Sequence, residues 1–196
     1  MLWRTLLFSV SQTLDTLILR GKPGRPMTPG EIKMASILFG DAIDYAQVQV
    51  HARRYLPFGL QPKNCAMTPN GTIYFDKSCC LADFSAGSEP SRHWFMHEMV
   101  HVWQHQLGYP VWWRGAVRIG LSYAYELAAH KRLADFNMEA QGDLLADYFV
   151  LKFLQSPTAM RQQRYASSLA LFETVLAGFR RQPGERYHLP GARRQR

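Results

Sequence analysis

Three cysteines in 196 residues, Cys65, Cys79 and Cys80, are too few for a disulfide scaffold. They cannot all pair within one chain and show no C-x-x-C metal spacing, so they read as reduced or partly buried thiols. A link from Cys65 to Cys79 or Cys80 is open only in an oxidising compartment. No stretch approaches the ~20 apolar residues of a membrane span, so no transmembrane segment is expected. Nor does Met1 to Leu19 make a signal peptide: its apolar run is short, Gln12 and Asp15 interrupt it, and no A-x-A-like site follows. It reads instead as an amphipathic helix. Internal repeats and low-complexity segments are missing too.

Acidic residues are scarce, 15 against 23 basic ones, for a net charge of +8. Much of that excess is gathered at one end, where Arg180, Arg181, Arg186, Arg193, Arg194 and Arg196 face only Glu185. This stretch reads as a frayed, solvated tail, so no nucleic-acid partner is expected. The rest, in a chain that is 47% hydrophobic, suits one core. Residues 1–182 are expected to form a single domain, with 183–196 as the basic tail.

Local patterns suggest an α+β layout. Thr28-Pro29-Gly30-Glu31 is a capping box with proline at the first helical position, opening a helix through Ile32, Ala35 and Phe39 to Gly40. Tyr45 to His51 alternates apolar and polar residues like a half-buried strand. Asn70-Gly71, between Ala66-Met67 and Thr72 to Phe75, signals a hairpin. Then come helices: one capped by Ser91 and ended by Gly108 and Pro110, then Ser122 to Ala134, Asn137 to Gln155, and Ala159 to Phe179 after the break at Ser156-Pro157. Tyr109 to Arg114 reads as an aromatic loop covering the first of these. The expected fold is mainly helical, with a small antiparallel sheet or hairpin before the first long helix.

That helix carries His97-Glu98-Met99-Val100-His101, the pattern H-E-x-x-H. Histidines four apart lie on one helical face about 6 Å apart along the axis, so both imidazoles reach one metal ion, with the glutamate beside it. Seven histidines make the pattern arise by chance in about one such chain in a hundred, so context must decide. The surrounding apolar residues make the helix buried, where His and Glu need partners. His93 and His105 extend the row but drift around the helix, and read as flanking groups. His51 and His130 read as structural, and His188 lies in the tail.

Catalytic zinc takes three protein ligands and keeps a fourth position for water. A metzincin would place its third ligand, a histidine, six residues beyond His101, where Leu107 stands. Thermolysin-like enzymes use a glutamate from a later helix, often with an aspartate four residues on. Glu139 and Asp143 have that spacing, so Glu139 is the expected third ligand and Asp143 the brace fixing a histidine tautomer. Asp147 shares the face, and the spacing leaves Asp143 as ligand or Asp147 as brace open. With Zn²⁺ as cofactor, Glu98 is the expected general base. Tyr125, Tyr123 and Tyr148 are the candidate oxyanion donors, Tyr125 first.

Five blocks carry a family resemblance: Thr28 to Glu31, Phe39 to Tyr45, Met67 to Phe75, His97 to Gln106 and Asn137 to Asp143. In this order they resemble the zincin-like metallopeptidase effectors of bacterial type VI secretion, including those fused to VgrG-type spike proteins, over roughly residues 25–150. The resemblance implies zinc on His97, His101 and Glu139, with Glu98 catalytic. It also implies an antibacterial toxin made in the bacterial cytoplasm, secreted by the type VI system and acting in the target-cell periplasm. Its substrate would be a peptide or envelope protein, with a peptidoglycan stem peptide as another option. A VgrG-type spike or adaptor and a cognate immunity protein are the implied partners. With no spike portion here, a separate carrier is expected. The alternative is a non-catalytic adaptor on a zincin scaffold, which an intact Glu98 disfavours.

Overall fold

The computed structural model describes residues 24–56, 61–117 and 120–192. The helix expected over Met1 to Leu19 lies outside them. Helix α1 (Pro29–Phe39) starts at Thr28, whose side chain accepts from the Glu31 amide while Glu31 accepts from the Thr28 amide. Glu31 does more than cap. Fully buried, it also takes both ends of the Arg25 guanidinium at 2.8 and 2.6 Å and the Phe84 amide at 2.9 Å.

Strands β1 (Arg25–Pro26), β2 (Gln49–Ala52), β3 (Ala66–Met67) and β4 (Ile73–Phe75) form one sheet in the order β1-β2-β4-β3. β3 and β4 are the antiparallel hairpin expected around Asn70-Gly71, with Gly71 at φ +78°. β2 and β4 run parallel, Val50 opposite Ile73, so the sheet is mixed rather than antiparallel. The chain from β2 to β4 first lays down β3, which places β4 in the middle and β3 at an edge. The strand expected from Tyr45 begins only at Gln49, because Asp44 caps a 3₁₀ turn at Tyr45–Gln47.

Helix α2 (Glu89–Gln106) begins after Ser88, three residues before the expected cap at Ser91. It ends at Gly108, φ +84°, where the Gly108 and Tyr109 amides return to the carbonyls of His105 and Gln104. The Tyr109 to Arg114 stretch enters a short helix, α3 (Val111–Val117), not a loop. Helix α4 (Met138–Phe153) fits the expected Asn137 to Gln155, with Asn137 capping the Glu139 and Ala140 amides. Residues 95–104 of α2 and 140–150 of α4 are buried without interruption. Helices enclosed on all sides are core elements, and each polar group inside them needs a partner. Stacked Phe75, Phe84 and Phe95 join the sheet to α2, while Phe39, Trp103 and Phe179 join α1 and α2 to the C-terminal segment.

Two expected helices are not formed. Ser122 to Ala134 is irregular apart from a 3₁₀ turn at Leu133–Asp135. Its polar groups bond outward, the Leu127 amide to the Tyr165 hydroxyl and the Tyr125 carbonyl to Arg164. Ala159 to Phe179 is broken into 3₁₀ turns and the short helices α5 (Leu169–Val175) and α6 (Ala177–Arg181). The Arg161 and Gln162 amides, which would start a helix there, donate instead to the buried carboxylate of Asp147.

The expected solvated tail is packed from Pro183 to Ala192. Trp103 donates to the Pro183 carbonyl at 2.7 Å, His188 and Leu189 are buried, and the Gly191 amide meets the Ala134 carbonyl. A charge pattern cannot foresee this, because Arg180, Arg181 and Arg186 are exposed while the backbone and a few apolar side chains dock.

Glu31→Ala removes the acceptor for two backbone amides and Arg25. Arg25 is partly exposed and rehydrates, so the amides dominate, and we expect a loss of about 3 kcal/mol. Urea unfolding checks it; a loss under about 0.5 kcal/mol would show that the cluster does not hold the sheet to α1.

Candidate metal centre

Helices α2 and α4 face each other through two rows of residues spaced by four. His93, His97 and His101 stand on α2; Asp147, Asp143 and Glu139 stand opposite on α4. Their pairing order makes the helices antiparallel. His93 Nε2 meets Asp147 Oδ1 at 2.7 Å, and His97 Nδ1 meets Asp143 Oδ1 at 2.8 Å. Glu139 Oε2 lies 3.3 Å from His97 Nε2 and 3.2 Å from His101 Nε2, and the two Nε2 atoms are 3.1 Å apart.

This triangle has the size that a metal centre requires. Tetrahedral zinc at about 2.0–2.1 Å from its ligands sets donor atoms about 3.3–3.4 Å apart. The three observed separations lie within a few tenths of an ångström of that. His97, His101 and Glu139 are also the one group of at least three His, Cys, Asp or Glu donors so clustered among the described residues. The donor set, two imidazoles and a carboxylate, suits zinc.

The neighbouring atoms fix both imidazoles in one orientation. His97 donates from Nδ1 to Asp143, and His101 donates from Nδ1 to Gln104 Oε1 at 2.9 Å, so each presents Nε2 to the centre. Gln104 in turn donates to the Met138 carbonyl and to Gln141, and Gln141 to the carbonyls of Leu133 and His188. The docked C-terminal segment is thereby tied to His101. Burial opposes charge on His97, yet its bonds to Asp143 and Glu139 outweigh that and push its pKa up to about 10. His101 is raised against the same burial, chiefly by Glu139, and Glu139 is held well below the carboxylate range by the two histidines in spite of burial.

Glu98 is buried next to this centre, and the Thr68 hydroxyl donates to its Oε2 at 2.7 Å. Together with His97, Asp143, Tyr123, Trp94 and residues 64–66 at the β3 edge, it lines a cleft of about 440 Å³. Tyr125 is not there. Its hydroxyl donates to Asp147 at 2.5 Å inside the core, where burial and that carboxylate keep its pKa high. Tyr148 is also buried. Tyr123 is the tyrosine of the three beside the centre, its ring 5.8 Å from that of His97. Asp147 bonds His93 rather than His97 or His101.

Thr68, Gln104 and Gln141 were not foreseen. Gln104 follows His101 by one helical step, a weak signal; Thr68 reaches Glu98 only through the hairpin. Gly142 is a further requirement, since a Cβ there would lie 2.5 Å from His97 Cε1 and 2.7 Å from Nδ1.

The solved effector domain of Pseudomonas aeruginosa VgrG2b superposes with a TM-score of 0.66 at 36% identity, covering 87% of this chain and 92% of that one. The chain belongs to the VgrG2b effector-domain family. A sequence match at 41% identity over 158 residues falls on the type VI secretion system spike protein VgrG2b of P. aeruginosa itself, covering 77% of this chain. It spans only 15% of the spike protein's length. No family model matches the chain. The relationship to the VgrG2b effector domain therefore rests on both sequence and fold.

Two outcomes follow. Alanine is favoured over glycine in a helix by about 1 kcal/mol, but Asp143 holds the His97 ring against any retreat. Gly142→Ala should therefore weaken zinc binding at least about tenfold despite better helix propensity. An unchanged zinc titration would mean that the ring moves freely. Zinc held here would compete with the proton for His97, so its apparent affinity should rise about tenfold per pH unit for each proton displaced, up to about pH 10. Zinc titrations at several pH values check the slope, and a flat profile would contradict it.

Proposed function

We propose that this chain is a zinc-dependent metallopeptidase serving as an antibacterial type VI secretion effector in the periplasm of target cells. The observation that carries the enzymatic part is the His97, His101 and Glu139 triangle with the Glu98 carboxylate beside it in an open cleft. A structural metal site fills all four positions with protein ligands, whereas three donors, with His97 and Glu98 at the wall of the cleft, leave a position for water or substrate. The setting rests on the relationship to VgrG2b. The relationship supports a VgrG-type spike as the carrier, and in this reading a cognate immunity protein protects the producer.

When bound, zinc supplies Lewis acidity to a scissile carbonyl and to the water that attacks it. His97, His101 and Glu139 hold it, and Asp143 and Gln104 keep the two imidazoles turned. Thr68 holds Glu98 by one oxygen. Glu98 takes the proton from the attacking water and returns it to the leaving nitrogen. Tyr123, at the cleft wall, donates to the oxyanion that develops on the carbonyl. Edge strand β3 borders the cleft, which suits an extended peptide adding alongside it. The peptide belongs to an envelope protein or a peptidoglycan stem.

Glu98→Gln should retain about one zinc per chain and lose about 10²–10⁴-fold in cleavage or toxicity. Glu139→Ala should lose the metal. Toxicity unchanged in folded, zinc-loaded Glu98→Gln would remove the peptidase reading.

A further inference from the structure

Beyond the chemistry, the cleft holds a cation with no assigned use. Arg161 lines it together with His93, His97, Glu98 and Tyr123. Its guanidinium is exposed and has no hydrogen-bond or ion-pair partner among the described residues. Its backbone is rigidly placed. The Arg161 amide donates at 2.6 Å, and the Gln162 amide at 3.0 Å, to the fully buried carboxylate of Asp147, which also holds His93 and Tyr125. The acidic groups of the cleft do not compensate it. Of the two carboxylates that line the cleft, Asp143 is bonded to His97 and Glu98 to Thr68, and neither is hydrogen-bonded or ion-paired to Arg161.

We propose that Arg161 is a specificity-determining residue that binds a carboxylate of the substrate. The inference rests on the peptidase reading above. An unpaired guanidinium on an anchored backbone is available for bidentate recognition of a carboxylate. Position sets the range. Asp147 and His93 form the pair one helical step, about 6 Å, from the His97–Asp143 pair. An extended peptide advances about 3.3 Å per residue, so the carboxylate lies within about two residues of the cleaved bond. Its source is an acidic side chain or a free terminal carboxylate.

Cleavage of a degenerate peptide library, in free-acid and C-terminally amidated forms, tests this with zinc-loaded wild type, Arg161→Gln and Arg161→Glu. We expect Asp or Glu near the cut, or dependence on the free terminus, to distinguish the two sources. Arg161→Gln should lower kcat/KM for those members at least tenfold and for neutral members less than twofold. Arg161→Glu should turn the preference toward Lys or Arg. Equal losses for acidic and neutral members, or a wild type indifferent to acid, would overturn the proposal. Binding of acetyl-Ala-Glu and acetyl-Ala-Gln-amide to the same proteins gives a second readout that needs no turnover. A preference for the acid that Arg161→Gln abolishes supports the subsite, and an unaltered preference overturns it. A library left intact by zinc-loaded wild type speaks against the peptidase reading, while the binding pair still decides the role of Arg161.

Discussion

Everything in this molecule depends on the antiparallel contact between α2 and α4, where imidazoles oppose carboxylates in three successive levels. Taking such groups out of water is costly unless each is paired, and here each is. His93 has Asp147, His97 has Asp143, and His97 with His101 has Glu139. The four-residue repeat on both helices keeps the rows in step over three levels, after which helical drift would separate them. His105 marks that limit: it is exposed, and its ring packs on Gly71 instead.

The three levels are alike in chemistry but not in role. At the Glu139 level, one carboxylate meets two imidazoles, and their Nε2 atoms converge on it. At the middle level, Asp143 settles which nitrogen of His97 is left for that centre. At the far level, Asp147 accepts four hydrogen bonds and becomes a structural anchor for Tyr125 and for the Arg161 loop. An anchored level and a level of converging donors thus share one pair of helices. Rigidity at one end supports the exact placement of donors at the other.

The surrounding elements serve this pair. Glu31 gathers Arg25 and the Phe84 amide and fixes the sheet to α1, and the Phe75, Phe84 and Phe95 stack carries that frame onto α2. The hairpin then delivers Thr68 to Glu98. From the other side, the C-terminal segment reaches His101 through Gln141 and Gln104. Arginines on that segment conceal its docking from any reading of charge alone.

How far the residues spoke for themselves follows from the range of the forces involved. The Thr28 to Glu31 cap, the Gly108 stop, the Asn137 start and the i, i+4 histidine pair are local, set by neighbours within a turn, and all were legible in the sequence. So was the E-x-x-x-D spacing that matched Glu139 and Asp143 to the histidines, because both partners lie on regular helices of known period. Tyr125, the Ser122 to Ala134 segment and the break after Ala159 were not. There, a hydroxyl or an amide is claimed by Asp147 from another part of the chain, and no local pattern records such a claim. The parallel pairing of β2 with β4 is likewise non-local, since β3 lies between the two strands in the chain. By itself the sequence determined which residues of metal-binding type stand at which spacing; tertiary structure alone decided which partners hold them, because buried polar groups must find donors and acceptors wherever packing brings them.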